Sequence, residues 1–243
     1  MIKFLLDSHT HTLASAHAYS TVLELAAEVA KIGLSLLAVT DHGPVLPDSC
    51  DKWHFINYHV MDRELYGVKM LYGVELNILD YNGNIDLEEF LLEKQDLCIA
   101  SFHSLITTPG SKKENTRAMV KAMENPYVDI LGHPDDGNIP VDYEELVLWA
   151  KETSVLLEIN NSSLKAAKYR LNSRENMAEM LKYCEKYGVS VSVGTDAHFA
   201  SAVGKMGEVE LLFQELCFPE ELVVNSSVEK YLNHLHRFRQ VGK

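Results

Sequence analysis

The 243-residue sequence has few cysteines, fewer basic than acidic residues and no long apolar run. Its four cysteines form no CxxC pair, which argues against both a disulfide framework and a thiolate zinc site. The formal net charge of -13 disfavours a broad surface for duplex nucleic acid. No stretch approaches the roughly 18 apolar residues of a membrane span, and the first residues do not match a secretory signal. These absences predict a cytoplasmic protein that binds neither duplex nucleic acid nor membranes.

The motifs of several common chemistries are also missing. There is no GxSxG nucleophile elbow, no P-loop and no GxGxxG after a predicted strand. What the sequence has instead is histidine, because "DSHTHTLASAH" places His9, His11 and His17 close together. His9 and His11 are two residues apart, so on a strand their side chains leave the same face. This spacing suits a pair of metal ligands better than an expression tag or a set of buried core histidines.

Seven short apolar runs predict the buried strands of a parallel sheet that is covered on both sides. They are "IKFLLD", "SLLAVT", "KMLYGVEL", "DLCIAS", "VDILGH", "SVLLEIN" and "VSVSVGTD". Between them, helices are predicted over residues 21–33, 114–125, 142–152 and 174–188. This alternation favours a single-domain α/β barrel over residues 1–243, since no linker-like segment divides the chain. A doubly wound open sheet is the alternative.

Two helix ends carry capping signals. Thr21 and Glu24 have the spacing of a capping box, and Gly33 marks the end of the same helix. Ser226 and Glu229 have the same spacing near the end of the chain. They predict a terminal helix that packs on the outside of the molecule.

Side chains that can bind metal follow almost every predicted strand. In a parallel barrel all strand C-termini face one end, which is where barrel enzymes carry their active sites. Taken singly, each residue has an ordinary role, such as a buried histidine or an aspartate that caps a helix. Their recurrence at strand ends favours a metal centre, and we assign no site role to His54, His59, His234 or His236. The candidate ligands are His9, His11, His17, His42, Glu75, His103, His133, Asp196 and His198.

This number of ligands exceeds the three or four protein ligands of one catalytic zinc ion. It fits two or three divalent ions, with a carboxylate such as Glu75 as a bridge between them. A set of imidazoles without thiolates favours zinc, with manganese or iron as alternatives, over magnesium. Bound cations would locally reverse the sign of an acidic protein. A phosphate substrate is therefore compatible with the negative net charge.

The strand-end motifs together resemble the PHP (polymerase and histidinol phosphatase) superfamily over residues 5–205. These motifs are "HTH", "TDH", the strand-three glutamate, "SFHS", "LGHP" and "GTDAH". Chain length and the "EINNSS" segment are similar to the YcdX-like branch of stand-alone phosphatases. The resemblance implies a distorted (βα)7 TIM-like barrel with a trinuclear metal site. It further implies that His9 and His11 bind one ion with Glu75 and Asp196. Glu75 would also bridge to a second ion, which His103 and His133 bind. The resemblance assigns a third ion to His17, His42 and His198.

Further roles are predicted around these ligands. Asp7 and Asp41 lie beside ligand histidines and are candidates to orient their rings, although Asp7 equally suits a turn cap. We take Glu75, Asp196 and Asp41 as the candidate catalytic residues, with Asp196 as one candidate acid for the leaving group. Residues 42–53 are a candidate shielding loop. A basic cluster after strand six is the candidate site for the substrate phosphate, and it comprises Lys165, Lys168, Arg170 and Arg174.

The expected function is a metal-dependent phosphoesterase that hydrolyses a small phosphorylated metabolite, a phosphomonoester, through metal-bound hydroxide. A phosphodiesterase or single-strand exonuclease is an alternative, disfavoured by the acidic net charge. A deaminase or deacetylase of the amidohydrolase type also begins with HxH after strand one, but needs neither His17 nor His42. Metal storage or delivery is the non-enzymatic alternative.

Overall fold

The computed structural model describes residues 2–165 and 169–239. Seven parallel strands pair side by side in the order β1-β2-β4-β5-β6-β7-β8, and the short β3 pairs with β4 in the antiparallel direction. The strands are β1 (Leu6–Asp7), β2 (Leu36–His42), β3 (Glu64–Leu65), β4 (Val68–Asn77), β5 (Cys98–Ser101), β6 (Ile130–Gly132), β7 (Leu156–Asn160) and β8 (Val191–Gly194). All seven predicted strands are present, most of them shorter than predicted, and β3 was not predicted.

The helices lie between these strands and after the last one. They are α1 (Val22–Ile32), α2 (Lys52–Ile56), α3 (Glu89–Leu92), α4 (Lys112–Met123), α5 (Tyr143–Thr153), α6 (Asn161–Lys165), α7 (Ser173–Tyr187), α8 (Gly207–Leu216) and α9 (Val228–His234). The four helices predicted between strands correspond to α1, α4, α5 and α7. None of the helices in the described part of the chain is long and apolar enough to cross a bilayer.

The sheet curls into a nearly closed barrel. Beyond the ends of the first and last strands, Thr10 and Ala197 form a parallel bridge. His11 N donates to Ala197 O at 2.9 Å, and Asp196 N donates to His9 O at 2.9 Å. These contacts between the two edges of the sheet are therefore made by the segments that carry predicted metal ligands. The predicted distorted (βα)7 barrel is confirmed, and the open sheet is excluded by these contacts.

The predicted caps of α1 are present. The Thr21 side chain accepts a hydrogen bond from Glu24 N, the Glu24 side chain accepts one from Thr21 N, and Gly33 ends the helix at φ 80°. Both ends of α1 are thus satisfied by side-chain and left-handed backbone contacts. The helix begins at Val22, five residues after His17.

The terminal helix differs from its prediction. Its N-cap is Ser227, which accepts from Lys230 N, whereas the Ser226 hydroxyl donates to Val223 O within a short 3-10 turn. The helix does not lie on the outside either. Tyr231 and Leu235 are fully buried in one apolar cluster with the first inward-facing residues of the strands, among them Leu36. The segment therefore covers the apolar layer at the N-terminal end of the barrel, together with Val224.

The barrel interior changes from apolar to polar along each strand. In β2, Leu36 and Ala38 face this inner cluster, while Leu37 and Val39 face the outer helices. The same period of two then turns His42 inward at the C-terminal end of the strand. Alternation along the strands thus places an apolar layer at one end of the barrel and a polar layer at the other.

Candidate metal centre

All nine predicted ligands meet at the C-terminal end of the barrel. His42 and Glu75 are within β2 and β4, and the others lie in the loops that follow β1, β5, β6 and β8. Most of them are buried, although His103 and His198 are half-buried and His17 is exposed. Two ligands have a left-handed backbone, His133 at φ 27° and Asp196 at φ 52°. Such strain costs on the order of 1–3 kcal/mol per residue and is typical of functional sites.

One group of four ligand atoms has the spacing expected around a single ion. His9 Nε2 and His11 Nε2 are 3.0 Å apart, and Glu75 Oε2 is 3.5 Å from each. Asp196 Oδ1 is 3.8 Å from His9 Nε2 and 3.2 Å from His11 Nε2. Tetrahedral zinc with bonds of about 2.05 Å has ligand–ligand edges of about 3.3 Å. The spacing of these four side chains is therefore compatible with one divalent ion.

The second oxygen of Glu75 faces a different pair of imidazoles. Its Oε1 atom is 2.9 Å from His133 Nε2 and 3.3 Å from His103 Nε2. One carboxylate thus presents one oxygen to His9 and His11 and the other to His103 and His133. This is the geometry of a bridging ligand.

The remaining histidines adjoin both groups. His17 Nε2 and His198 Nε2 are 2.9 Å apart, and the ring of His17 stacks on that of His42. His42 Nδ1 is also 2.6 Å from Glu75 Oε2. Ligand atoms of His42 lie close to those of His11 and His198, and also to those of Glu75 and His103. The structure therefore brings together all nine side chains without dividing them into three separate sets.

Orphaned polar atoms indicate that these side chains are shaped for cations. Both ring nitrogens of His42 and the Oε2 atom of Glu75 are buried without a hydrogen-bond partner, even though Nδ1 and Oε2 are in close contact. A buried polar group left unpaired costs about 1–3 kcal/mol. A divalent cation coordinated by these atoms would remove that cost. The donors are imidazole nitrogens and carboxylate oxygens, which suit zinc, manganese or iron.

The electrostatics of the cluster support the same conclusion. Burial raises the pKa of Glu75 and Asp196, but the surrounding histidines outweigh burial and hold both pKa values well below the usual range. Burial lowers the pKa of His9, but the carboxylates of Glu158 and Glu75 outweigh it and raise that pKa. Burial, with His42 alongside, lowers the pKa of His11 to about 3. The carboxylates are therefore ionised and His11 is neutral, as metal ligands must be, whereas His9 carries a proton that it would have to lose when a cation binds.

A PHP domain family model matches residues 7–169. The chain belongs to the PHP domain family. A probable phosphatase of Clostridium novyi is 44% identical over 234 residues, which cover 96% of this chain and 95% of that protein. A probable phosphatase of Acetivibrio thermocellus is 41% identical over 239 residues, which cover 98% of each.

Solved structures of PHP-like fold are more distant. A histidinol phosphate phosphatase from Lactococcus lactis, crystallised with zinc, L-histidinol and phosphate, superposes with a TM-score of 0.60 at 16% identity and covers 88% of this chain and 94% of its own. A chain of archaeal ribonuclease P with mature tRNA has a TM-score of 0.60 at 17% identity, covering 97% of this chain and 94% of its own. At these identities the likeness shows the fold alone.

Sequence reasoning missed the residue that orients His9 in this PHP domain. Glu158, in β7, is fully buried, and its Oε1 accepts from His9 Nδ1 at 2.7 Å. Its Oε2 accepts from the backbone N of His133 at 2.8 Å. A Cβ at Gly194 would lie 2.2 Å from Glu158 Oε1, so glycine is required there. The signal that could have revealed it is a glutamate between the apolar residues Leu157 and Ile159 of a predicted buried strand.

A second missed relay orients His103. The Nδ1 atom of His103 is 2.7 Å from Asn77 Oδ1, and Asn77 Nδ2 donates to Asp86 Oδ2 at 2.6 Å. Asp86 Oδ1 also accepts from Asn77 N at 2.8 Å. Since the amide of Asn77 must donate to Asp86, its oxygen faces His103, and Nε2 of His103 is left for the metal.

Neither Asp7 nor Asp41 accepts a hydrogen bond from a ligand ring, so the predicted orienting role is wrong for both, whereas Asp7 accepts from the backbone N of His9 at 3.4 Å, as the turn-cap alternative predicts. Asp7 binds the hydroxyl and backbone N of Thr195 and the backbone N of Gly204. Asp41 accepts from Ser15 Oγ at 2.6 Å, and Ser15 Oγ lies 3.1 Å from His11 Nδ1. Asp41 thus reaches His11 only through Ser15.

His54 had been assigned no site role, yet it contacts this outer network. Its Nε2 atom lies 3.3 Å from Asp41 Oδ2 and 3.0 Å from the hydroxyl of Tyr58. His54 therefore touches the support of the site and none of its ligands.

The basic residues predicted to form one cluster do not lie together in the structure. Arg170 Nη2 donates to Asp196 Oδ2 at 3.2 Å, and Nη1 donates to Ser163 Oγ at 2.6 Å. Arg174 does not lie at the site and instead pairs with Glu215 of α8. Lys165 lines an adjoining groove. Lys168 lies outside the described residues.

A cavity of about 340 Å³ opens over the ligands. That volume is in the usual range for small-molecule sites. Its lining includes Arg170 and Asp136 as well as Leu46 and Pro47, which belong to the predicted shielding loop. Residues of that loop therefore form part of the wall above the metal centre.

Proposed function

We propose that this protein is a metal-dependent phosphatase that hydrolyses a small phosphomonoester. The observation that carries the proposal is the position of Glu75, whose two oxygens face two separate pairs of imidazoles beside Arg170. Divalent cations held there would supply Lewis acidity, lowering the pKa of a water nucleophile and offsetting phosphoryl charge. The probable phosphatase names of relatives 41–44% identical to this chain support the same reaction class.

The nine candidate ligands would be shared among three cation positions. His9, His11, Glu75 and Asp196 would hold one ion, and His103 and His133 would hold a second through the other oxygen of Glu75. His17, His42 and His198 would complete a third position, as in a trinuclear site. Zinc is the metal we propose, because the donors are imidazoles and carboxylates. The histidinol phosphate phosphatase of similar fold was also crystallised with zinc.

Arg170 would bind and orient the phosphoryl group. Its guanidinium has five donors, and the two contacts to Asp196 and Ser163 leave others directed toward the cavity. Burial lowers the pKa of Arg170, but Asp196 and Asp135 outweigh it, so the charge is kept. Arginine also matches the planar spacing of phosphate oxygens better than lysine does.

We assign Asp196 a role other than protonating the leaving group. Its Oδ1 faces His11 and its Oδ2 accepts from Arg170. With both oxygens engaged and its pKa held low, Asp196 would hold a cation and position Arg170 rather than deliver a proton. The proton for the leaving alcohol would then come from solvent in the open cavity.

Metal analysis combined with a phosphoester panel tests this function. The panel contains an aryl phosphate, alkyl phosphates, histidinol phosphate and a phosphodiester, assayed with the zinc-loaded protein. We expect two or more ions per chain and turnover of monoesters. In His103→Ala, one ion and most of the turnover should be lost, whereas His234→Ala, at the opposite end of the barrel, should change neither. Two or more ions per chain with no turnover of any monoester would overturn the proposal.

A further inference from the structure

A second groove opens on the other side of Arg170 and joins the metal centre. It has a volume of about 780 Å³ and shares Tyr169, Arg170, Asp196, His17 and His198 with the first cavity. A phosphoryl group bound at these shared residues would therefore have two directions in which its alcohol could extend. The proposed phosphatase function uses the shared residues but assigns nothing to the second groove.

Exposed aromatic side chains are concentrated in this groove. Tyr19 is 69% exposed and Phe199 is 54% exposed, and both line it, together with Tyr169. In the described part of the chain six tyrosine, phenylalanine and tryptophan side chains are exposed, so half of them line one groove beside the metal centre. Exposed apolar surface grouped in this way is typical of a binding site.

Hydrogen bonds fix the backbone at Tyr19 and Phe199 relative to the ligands. Tyr19 follows the ligand His17, and Phe199 directly follows the ligand His198. Tyr19 N donates to His198 O at 2.8 Å, and Ala200 N donates to Ser20 Oγ at 2.9 Å. The loop after β1 and the loop after β8 are thus joined at the position of the two rings. Because the backbone at both residues is already ordered, only the side-chain rotamers need be restricted when a ligand binds.

The charges of the groove select among possible ligands. Lys165 and Arg170 are its cationic residues, and metal ions in the adjoining centre would add further positive charge. Among the described residues that line it, Asp196 is the one carboxylate, and it is already engaged by Arg170 and His11. A cationic group would therefore be repelled, whereas a neutral or anionic ring would be accepted. The first cavity differs, because its wall also carries Asp136.

Resting on the proposed phosphatase function, we propose that this groove binds the leaving group of the substrate. It selects phosphomonoesters whose alcohol carries a planar aromatic ring without positive charge, and that ring packs against Tyr19 and Phe199. Aromatic pairs gain about three- to tenfold in affinity beyond the burial of their area. Tyr19 and Phe199 are thus specificity-determining residues that leave the chemistry at phosphorus unchanged.

A pair of matched substrates tests the assignment on the zinc-loaded protein. The two compounds are 2-phenylethyl phosphate and 2-cyclohexylethyl phosphate, whose leaving alcohols have similar acidity. Burial of apolar area alone would favour the cyclohexyl compound, so a preference for phenyl reports the aromatic contact. We expect KM for the phenyl compound to be about three- to tenfold lower, with similar kcat. A phenyl compound that carries a trimethylammonium group should lose this advantage.

Variants locate the effect, with a matched control. Phe199→Leu and Tyr19→Leu should reduce or remove the preference for phenyl while leaving kcat unchanged. Phe90→Leu replaces a similarly exposed ring that lines neither cavity, and it should keep the preference. Calorimetry with 3-phenylpropylphosphonate and 3-cyclohexylpropylphosphonate should give the same order of Kd without turnover.

The outcomes separate this inference from the function on which it rests. Hydrolysis of both compounds with equal KM, or a preference that survives in both variants, overturns the groove assignment and leaves the phosphatase function standing. Hydrolysis of other monoesters but of neither matched compound has the same meaning. No hydrolysis of any monoester overturns both.

Discussion

Glu158 and His9 form a buried hydrogen bond of 2.7 Å inside the barrel, and neither side chain has measurable exposure. The two oxygens of Glu158 serve three donors, which are Nδ1 of His9, the backbone N of His133 and, at 3.2 Å, Nδ2 of Asn160. One carboxylate therefore fixes the ring of one ligand and the strained backbone of another. Its replacement should weaken metal binding without removing a ligand.

Glu158→Gln tests this. A glutamine side chain has a single acceptor oxygen. Its NH2 group must therefore face either Nδ1 of His9 or the backbone N of His133, and that donor loses its acceptor. Loss of such an outer contact typically weakens metal affinity about 10- to 100-fold. Zinc affinity measured by competition with a chelator should fall by that factor. Glu152→Gln, on the exposed surface of α5, should bind zinc like the unchanged protein. Equal affinities in the two variants would contradict the role of Glu158.

The barrel and the nine candidate ligands could be predicted from the sequence because each depends on a local pattern. Strand alternation and the residues just after each strand are properties of short segments. The supports of the site are not local in this sense. Glu158 is 149 residues from His9, and Asn77 is 26 residues from His103. Such contacts depend on which strands become neighbours and on register, which no single segment contains.

The same reason explains the errors. The pairing of Arg174 with Glu215 depends on how α7 packs beside α8. The terminal helix was predicted from its capping spacing, but its position depends on an uncovered apolar layer at the N-terminal end of the barrel. Tyr231 and Leu235 cover that layer.

Asp86 is predicted to affect the affinity for the ion that Glu75 and His103 would hold. Asp86→Ala would free the amide of Asn77 to rotate, so that its nitrogen faces Nδ1 of His103 and the ring loses its orientation. We expect about tenfold weaker binding of one ion, while binding at the other positions persists. Titration with zinc, followed by metal analysis at limiting concentrations, measures this. Glu88→Ala, an exposed change close by in the chain, serves as the control. Uniform weakening of every ion would argue against the relay.

Asp41 should make stability depend on pH. Burial raises its pKa, but hydrogen bonds from His54 and Ser15 outweigh burial and lower the pKa to about 2, below the 3.8 of an ordinary aspartate. Its folded-state pKa is thus depressed. The stabilisation is full above the unfolded value and is lost as the pH falls through the folded value. A shift of this size corresponds to about 2 kcal/mol.

Urea unfolding of the metal-free protein measures that dependence. Asp41→Asn should be less stable than the unchanged protein at pH 6, and the difference should shrink by about 1 kcal/mol at pH 3. Asp51→Asn, at an exposed helix cap, should show a smaller dependence. A difference that stays constant between pH 6 and pH 3 would show that Asp41 acts through shape and not through its charge.

Arg170 and Arg174 offer a matched pair for the phosphate site. Arg170→Lys keeps a positive charge beside Asp196 but loses the planar donors that reach phosphate oxygens while Ser163 and Asp196 are also bound. KM and the inhibition constant of inorganic phosphate should both rise by roughly tenfold, because charge-assisted paired hydrogen bonds are worth more than a single ammonium contact. Arg174→Lys alters a pair with Glu215 that lies outside both cavities, so its kinetics should be unchanged. Phosphate inhibition that is the same in both variants would place the phosphoryl group elsewhere in the cavity, away from the guanidinium that Asp196 and Ser163 hold in place.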